Sequence, residues 1–294
     1  MKNRFESHSG GEIAPEENFH AEQSGTKEAT TFRQTSRRLM RAIELQLKTQ
    51  LGKIEISGME NLEKIPKDKK VVVAPDHKTD MAVPLTVHAL GDSLDLVITN
   101  ESVHHKFTGE PSMNLGMRLV GRDNFLPIDF MGKGTDKHPT AFNPDNFIPM
   151  MKAMDKGKTT IVAAHNPSLG GHLEQGGYGA VYLAEMTDAV IIPVSIDIIS
   201  KENLGMAQNV LRTFLKKPDV HIQIGEPFSL DKIEDIGKMK ELMDKRKGGE
   251  RLTHEEFSEF SRITEDLKEQ SEALMKRLVE ITPIEKRGDI IPEE

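Results

Sequence analysis

The chain has no cysteine among its 294 residues. That excludes disulfides, a thiolate metal site and a cysteine nucleophile. It fits a reducing compartment without requiring one. No apolar run reaches the roughly 18–20 residues needed to span a bilayer. The opening stretch MKNRFESHSGGEIAPEENFHAEQSGTKEAT has no apolar signal-peptide core. An excess of positive charge is also lacking. The formal net charge is −8, so a nucleic-acid partner held by bulk charge is not expected. These absences set the expectation of a soluble, cytoplasmic protein. A peripheral contact with the inner face of a membrane stays open beside it.

What is present divides along the chain. Residues 1–29 are polar and aperiodic and read as a disordered tail. Residues 30–52 read as an amphipathic helix, because Leu39, Met40, Ile43, Leu47 and Leu51 recur at helical spacing. Arg33, Arg37, Arg38 and Arg41 make its first half basic. The plain reading is a helix packed on the domain with solvated arginines. The sharper one is contact of residues 32–51 with an anionic membrane surface.

From Lys53 to residue 230, strand patterns and helix patterns alternate. KIEIS, KKVVVAP, LDLVITN, NFLPIDF, TTIVAA, AVIIPVSIDI and VHIQIGEPF read as strands. NPDNFIPMMKAMDKG reads as a helix with Asn143 as N-cap and Gly157 as stop. PSMNLGMRLVG and GGYGAVYLAEMTD read as two more helices. The expected class is α/β with one mainly parallel sheet flanked by helices. Residues 231–294 form a Lys- and Glu-rich helical extension packed on that core. Its long helix opens with a capping box, Thr253 and Glu256. Leu267, Leu274, Leu278 and Ile281 mark the buried stripe, and Pro283 ends it. No internal repeat is visible, and one domain plus a tail is preferred over two domains.

Ligands in open α/β sheets bind beyond the carboxyl ends of the strands. Three polar turns follow strands here: PDHKTD, NESVHHK and HNPSLGGH. His77 stands beside Asp76 and three residues before Asp80. A neutral imidazole can take a proton from a hydroxyl, and a carboxylate can orient it. The plain alternative is that Asp80 caps the next helix and His77 bonds a carbonyl. In the third turn, His165, Asn166, Ser168 and His172 with two glycines offer a polar cradle, or an ordinary glycine turn. A Ser168–His nucleophile lacks the nucleophile-elbow pattern. The GGYG tract matches neither a dinucleotide fingerprint nor a phosphate loop. His104, His105 and Glu110 show no metal spacing, and convergence of His77, Asp80, His165 and His172 on one ion has no local support. No metal is expected.

The order of these blocks resembles the glycerolipid acyltransferase superfamily, of the 1-acyl-sn-glycerol-3-phosphate acyltransferase type. IEISGMENLEKIPKDKKVVVAPDHKTDMAVP is similar to the family's opening strand, Gly-x-Glu-Asn turn, apolar strand and catalytic histidine loop. VGRDNFLPID is similar to its second block. TIVAAHNPSLGGHLEQGGYGAVYLAEMTDAVIIPVSI sits where the acceptor-phosphate block, a glycine-containing helix and the strand ending Ile-Pro-Val belong. VHIQIGEPFSL and LMKRLVEITPIEKRG resemble the late strand and the closing helix. The resemblance spans about residues 50–289.

It implies His77 as general base, taking a proton from an acceptor hydroxyl that attacks the thioester of acyl-CoA or acyl carrier protein. That thioester is a co-substrate, and no further cofactor is implied. Asp80 or Asp76 would orient His77. Asp76, Lys78, Thr79, Arg122, His165, Asn166 and Ser168 are the candidate substrate contacts, with Lys78, Arg122, Lys133 and His165 as sources of positive charge. The partners would be the acyl donor and a lysophospholipid, glycerol-phosphate-like or simpler alcohol acceptor.

The chain departs from the family at several positions. Asp76 stands where the family has Asn. Asp80 is two residues early and Ala82 holds the expected Asp position, a rotation of about 200° on a helix. Phe130 replaces an Arg after Ile128-Asp129, and Ala-Ala-His-Asn-Pro-Ser replaces Phe-Pro-Glu-Gly-Thr-Arg. A lipid- or acyl-binding protein with weakened catalysis is therefore the second reading. A hydrolase using Ser168 is the third.

Overall fold

The computed structural model describes residues 35–79, 81–100, 125–127, 142–165, 173, 175–199 and 217–287. The fold is built around the run Val71–Val73. Continuous β-branched residues suit a strand buried on both faces, as in parallel sheets covered by helices. Here β2 (Lys70–Pro75) is buried from Val71 to Pro75. It is the middle strand of the seven described, in the order β1-β7-β6-β2-β5-β3-β4. The others are β1 (Ile54–Ser57), β3 (Leu96–Asn100), β4 (Phe125–Pro127), β5 (Thr159–Ile161), β6 (Ala189–Ile199) and β7 (Asp219–Ile224). Neighbouring strands run parallel except β6 and β7, which pair antiparallel with Ser195 opposite Gln223. The expected α/β class with a mainly parallel sheet is the observed one.

Strand alternation sends successive side chains to opposite layers. Val71 and Val73 face α1 (Arg37–Gln50) and α2 (Ala82–Leu90). The apolar stripe of α1, from Leu39 through Met40, Ile43 and Leu47 to Leu51, is buried in that layer. Val72 and Ala74 face the second layer, made by α3 (Ile148–Asp155), α4 (Gly179–Thr187), α5 (Met239–Lys247) and α6 (His254–Ile281). All of these elements fall within one unit, Phe32–Glu294.

The end signals work as their chemistry requires. Asn143 accepts from the Asp145 amide, and Gly157, at φ 81°, ends the segment after α3. Thr253 accepts from the Glu256 amide, and Glu256 accepts from the Thr253 amide, closing the capping box of α6. Along α6, Ile263, Leu267, Ser271, Leu274, Leu278 and Val279 are buried at helical spacing, and Thr282 follows as its C-cap. The expected helix at 111–121 lies outside the described residues. No helix among the described residues is long and apolar enough to cross a membrane.

Candidate functional site

The carboxyl end of β2 lies between two strands that both run past it. On one side the Asp76 amide donates to the Val194 carbonyl of β6, at 2.9 Å. On the other, the chain beyond β5 continues the ladder: the Val162 amide donates to the Val73 carbonyl and the Ala164 amide to the Pro75 carbonyl, each at 2.9 Å. The next donor on that side is the His77 amide. It donates to Nε2 of His165, at 3.0 Å. His165 is 2% exposed. Its imidazole thus stands in for a carbonyl and extends the ladder by one bond. In this arrangement Nε2 carries no proton, so a ring proton sits on Nδ1. That is the chemistry of a positioning group. His165, expected as a source of positive charge, here presents Nε2 as an acceptor.

The residues on either side of His77 turn inward. Asp76 is 0% exposed and the Lys78 side chain 4%. Oδ2 of Asp76 accepts from the Ile196 amide at 3.0 Å and from the Ser195 hydroxyl at 3.1 Å, and it lies 2.9 Å from Nζ of Lys78. The Asp76 Oδ1 has no hydrogen-bond partner among the described residues, and beyond the ion pair neither has the Lys78 ammonium. Burial pushes the Asp76 carboxyl above its ordinary range. Lys78, the Ile196 amide and the Ser195 hydroxyl each pull it back in part.

Asp76 and Lys78, expected as substrate contacts, have buried heads in this structure. His77 itself is half-buried, between two withdrawn neighbours. Thr79 is half-exposed; its hydroxyl accepts from the Met81 amide at 3.2 Å and its carbonyl from the Ala82 amide at 3.0 Å, which starts α2. Asp80, Arg122, Lys133, Asn166, Ser168 and His172 lie outside the described residues, as do His104, His105 and Glu110.

The glycine tract has a packing role. A Cβ at Gly176 would fall 2.3 Å from Oγ of Ser271 and 2.8 Å from Cγ of Met275, so the chain passes directly against α6. The Gly177 amide donates to the Ala164 carbonyl at 2.8 Å, which holds the segment carrying His165. Among the described residues no group of three His, Asp or Glu is placed to hold a metal ion. A shallow hollow of about 460 Å³ lies on the helical extension, lined by Gly237, Lys240, Glu241, Asp244, Lys245 and Glu250. Its charged rim suits no acyl chain, and none of the groups around His77 borders it.

Ser195 and Thr282 were not singled out by the sequence reading. Ser195 Oγ lies 2.9 Å from Thr282 Oγ1, and both residues are buried. A signal existed: a lone polar residue inside AVIIPVSIDI, in a strand otherwise apolar up to Asp197, needs a buried partner.

No protein-family model matches the chain, nor does any curated protein sequence. Among solved structures, the crystal structure of the 1-acyl-sn-glycerophosphate (LPA) acyltransferase PlsC from Thermotoga maritima is similar at 18% identity. The match covers 81% of this chain and 79% of that one, with a TM-score of 0.42. A likeness that slight bears no weight on activity.

Proposed function

We propose that the chain is an acyltransferase that moves a fatty acyl group from a thioester to an alcohol, with His77 as general base. The observation that carries this reading is the presentation of His77. It follows the central strand at the carboxyl end of the sheet, where such folds bind ligands. Its amide is fixed by buried His165, both neighbours are turned inward, and it remains half-exposed. The order of motifs around it resembles the glycerolipid acyltransferases. In the reaction, the imidazole takes the proton of the acceptor hydroxyl as the oxygen attacks the thioester carbonyl. The C–S bond then breaks, and the imidazolium returns the proton to the leaving thiolate. Asp80 is the carboxylate assigned to orient the ring, since Asp76 is committed elsewhere.

Acyl-CoA or acyl carrier protein is the donor class, and a lysophospholipid or glycerol-phosphate-like alcohol the acceptor class. Thr79, Arg122, Asn166 and Ser168 are the candidate acceptor contacts. The face of α1 that carries exposed Arg37, Arg38, Arg41 and Leu45 is the part assigned to a membrane surface on the cytoplasmic side.

The test is free-thiol release from palmitoyl-CoA with a panel of lysophospholipids and simple alcohols. Acceptor-dependent release that falls about 10²–10⁴-fold in His77→Ala supports the reading. Release that survives His77→Ala sinks it. One observation favours the second reading, an acyl- or lipid-binding protein: the charged residues on either side of His77, Asp76 and Lys78, are buried against each other. Saturable binding of a fluorescent fatty acid, without turnover of any donor, would select it.

A further inference from the structure

We propose that Asp76 and Lys78 are positioning residues for His77, and that with Ser195 and Thr282 they form a buried clamp joining the His77 loop to the end of the long C-terminal helix. Its functional consequence rests on the acyl-transfer reading; the clamp itself stands on geometry alone.

Val72 and Ala74 face the layer that contains α6, and Asp76 follows on the same side of the strand. Lys78 returns to meet it, so the residues before and after His77 are tied to each other at 2.9 Å beneath the chain that carries it. The carboxylate is then anchored to β6 through the Ile196 amide and the Ser195 hydroxyl. Ser195 has one hydroxyl hydrogen. Donated to Asp76, it leaves the Ser195 oxygen to accept from the Thr282 hydroxyl 2.9 Å away. Thr282 is the C-cap of α6, and its carbonyl accepts from Nε of Arg287 at 2.9 Å. The hydroxyls thus point in series from the helix end to the carboxylate. With the His77 amide held from the opposite side by His165, the chain at three consecutive residues is tied down around the His77 ring.

As a stabilising device this pair is poor. Two charges leave water, Oδ1 has no partner among the described residues, and three ammonium donors share one carboxylate. As a geometric device it is effective, because the opposite charges hold residues i−1 and i+1 in one arrangement. A general base displaced by about 1 Å loses on the order of 10²-fold in rate.

The test compares the full-length wild type with Lys78→Met, the double variant Asp76→Asn/Lys78→Met, and Thr282→Val. Three quantities are read: kcat and KM for thiol release from palmitoyl-CoA, the melting temperature, and the ¹H–¹³C NMR signal of the His77 ring, identified by its absence in His77→Gln. The double variant keeps an acceptor for the Ile196 amide and removes both buried charges. We expect it to melt no lower than wild type, with kcat at least about 10-fold lower, KM within about 2-fold, and a shifted or broadened His77 signal. Thr282→Val is expected to move the same readouts less. A double variant with wild-type kcat and an unmoved His77 signal overturns the clamp. Absence of thiol release from wild type would instead defeat the acyl-transfer reading. The clamp is then decided by the NMR comparison alone, taken where every variant is folded: a moved His77 signal supports it and an unmoved one overturns it.

Discussion

Lysine meets carboxylate at two kinds of place in this fold. At the end of β2, Asp76 and Lys78 face each other with side chains 0% and 4% exposed. On the helical extension, Lys240 lies 2.6 Å from Asp244 and 3.0 Å from Asp145, and Lys245 lies 2.7 Å from Glu256 and 3.0 Å from Glu241, with side chains from 27% to 68% exposed. Distances are alike; surroundings are not. On the extension, hydrogen bonds to carboxylates raise Lys240 and Lys245, and their partners Asp244 and Glu256 are lowered, as solvated pairs should behave. At Asp76 burial outweighs the lysine, and the carboxyl is raised. The contact that looks the same on a distance list favours ionisation in one region and fails to offset its cost in the other.

The largest stability effect should come from stripping the buried pair of one charge. Lys78→Met leaves a carboxylate in the interior without its counter-ion, a loss of about 3–5 kcal/mol at neutral pH. Removing both charges in Asp76→Asn/Lys78→Met should recover all of it, and up to about 1–4 kcal/mol beyond wild type, as apolar replacements of buried pairs do. Denaturant titration of the three proteins checks both. A Lys78→Met chain as stable as wild type would mean that the pair is not buried as described.

The same pair carries a pH signature whose sign is fixed. The folded carboxyl of Asp76 is raised above its ordinary value of 3.8. Between 3.8 and the raised value, the folded chain holds a proton that the unfolded chain has released. Asp76 therefore contributes most below pH 3.8, and that contribution is lost as pH rises through the raised value. The double variant lacks this loss. Its stability relative to wild type should climb as pH rises from about 4, measured by melting temperature across pH. A gap that shrinks with rising pH would contradict the raised carboxyl.

The two regions were also unequally legible in the sequence. The strand run Val71–Val73, the α1 stripe and the capping box at Thr253 are local patterns, and periodicity or a three-residue spacing reveals them. The antiparallel turn of β7 against β6 was not visible, because alternation in VHIQI suits either direction. Around His77 the deciding contacts are distant in sequence: Ser195 to Asp76 spans 119 residues and His77 to His165 spans 88. Polar residues after a strand read as a solvated turn, so PDHKTD suggested exposed charges. Parity held the missing clue. Asp76 continues the face of Val72 and Ala74, and that face points to a helix layer rather than to water.

A smaller effect is expected on the extension, at the start of α6. Thr253→Ala frees the Glu256 amide that its hydroxyl satisfies, which costs about 1 kcal/mol, with the loss confined to the first turn. Hydrogen exchange should report faster exchange at Glu256 and its neighbours and no change at Leu274 or Leu278, deep in the same helix. Spread of the effect to those residues would show that the exposed end and the buried stripe act as one unit.

The smallest effect separates the two kinds of ion pair most cleanly. Lys240 makes two carboxylate contacts, one more than Lys78 makes among the described residues, and by a count of contacts it should matter more. Its charge stays hydrated, however, and its partners stay hydrated when it is removed. Forming the pairs therefore gains little, and breaking them strands nothing. Lys240→Met should leave the melting temperature unresolved from wild type, in low salt and high salt alike. A clear drop that disappears in high salt would place these pairs in a network stronger than their exposure allows, and would remove burial as the variable that distinguishes the two regions.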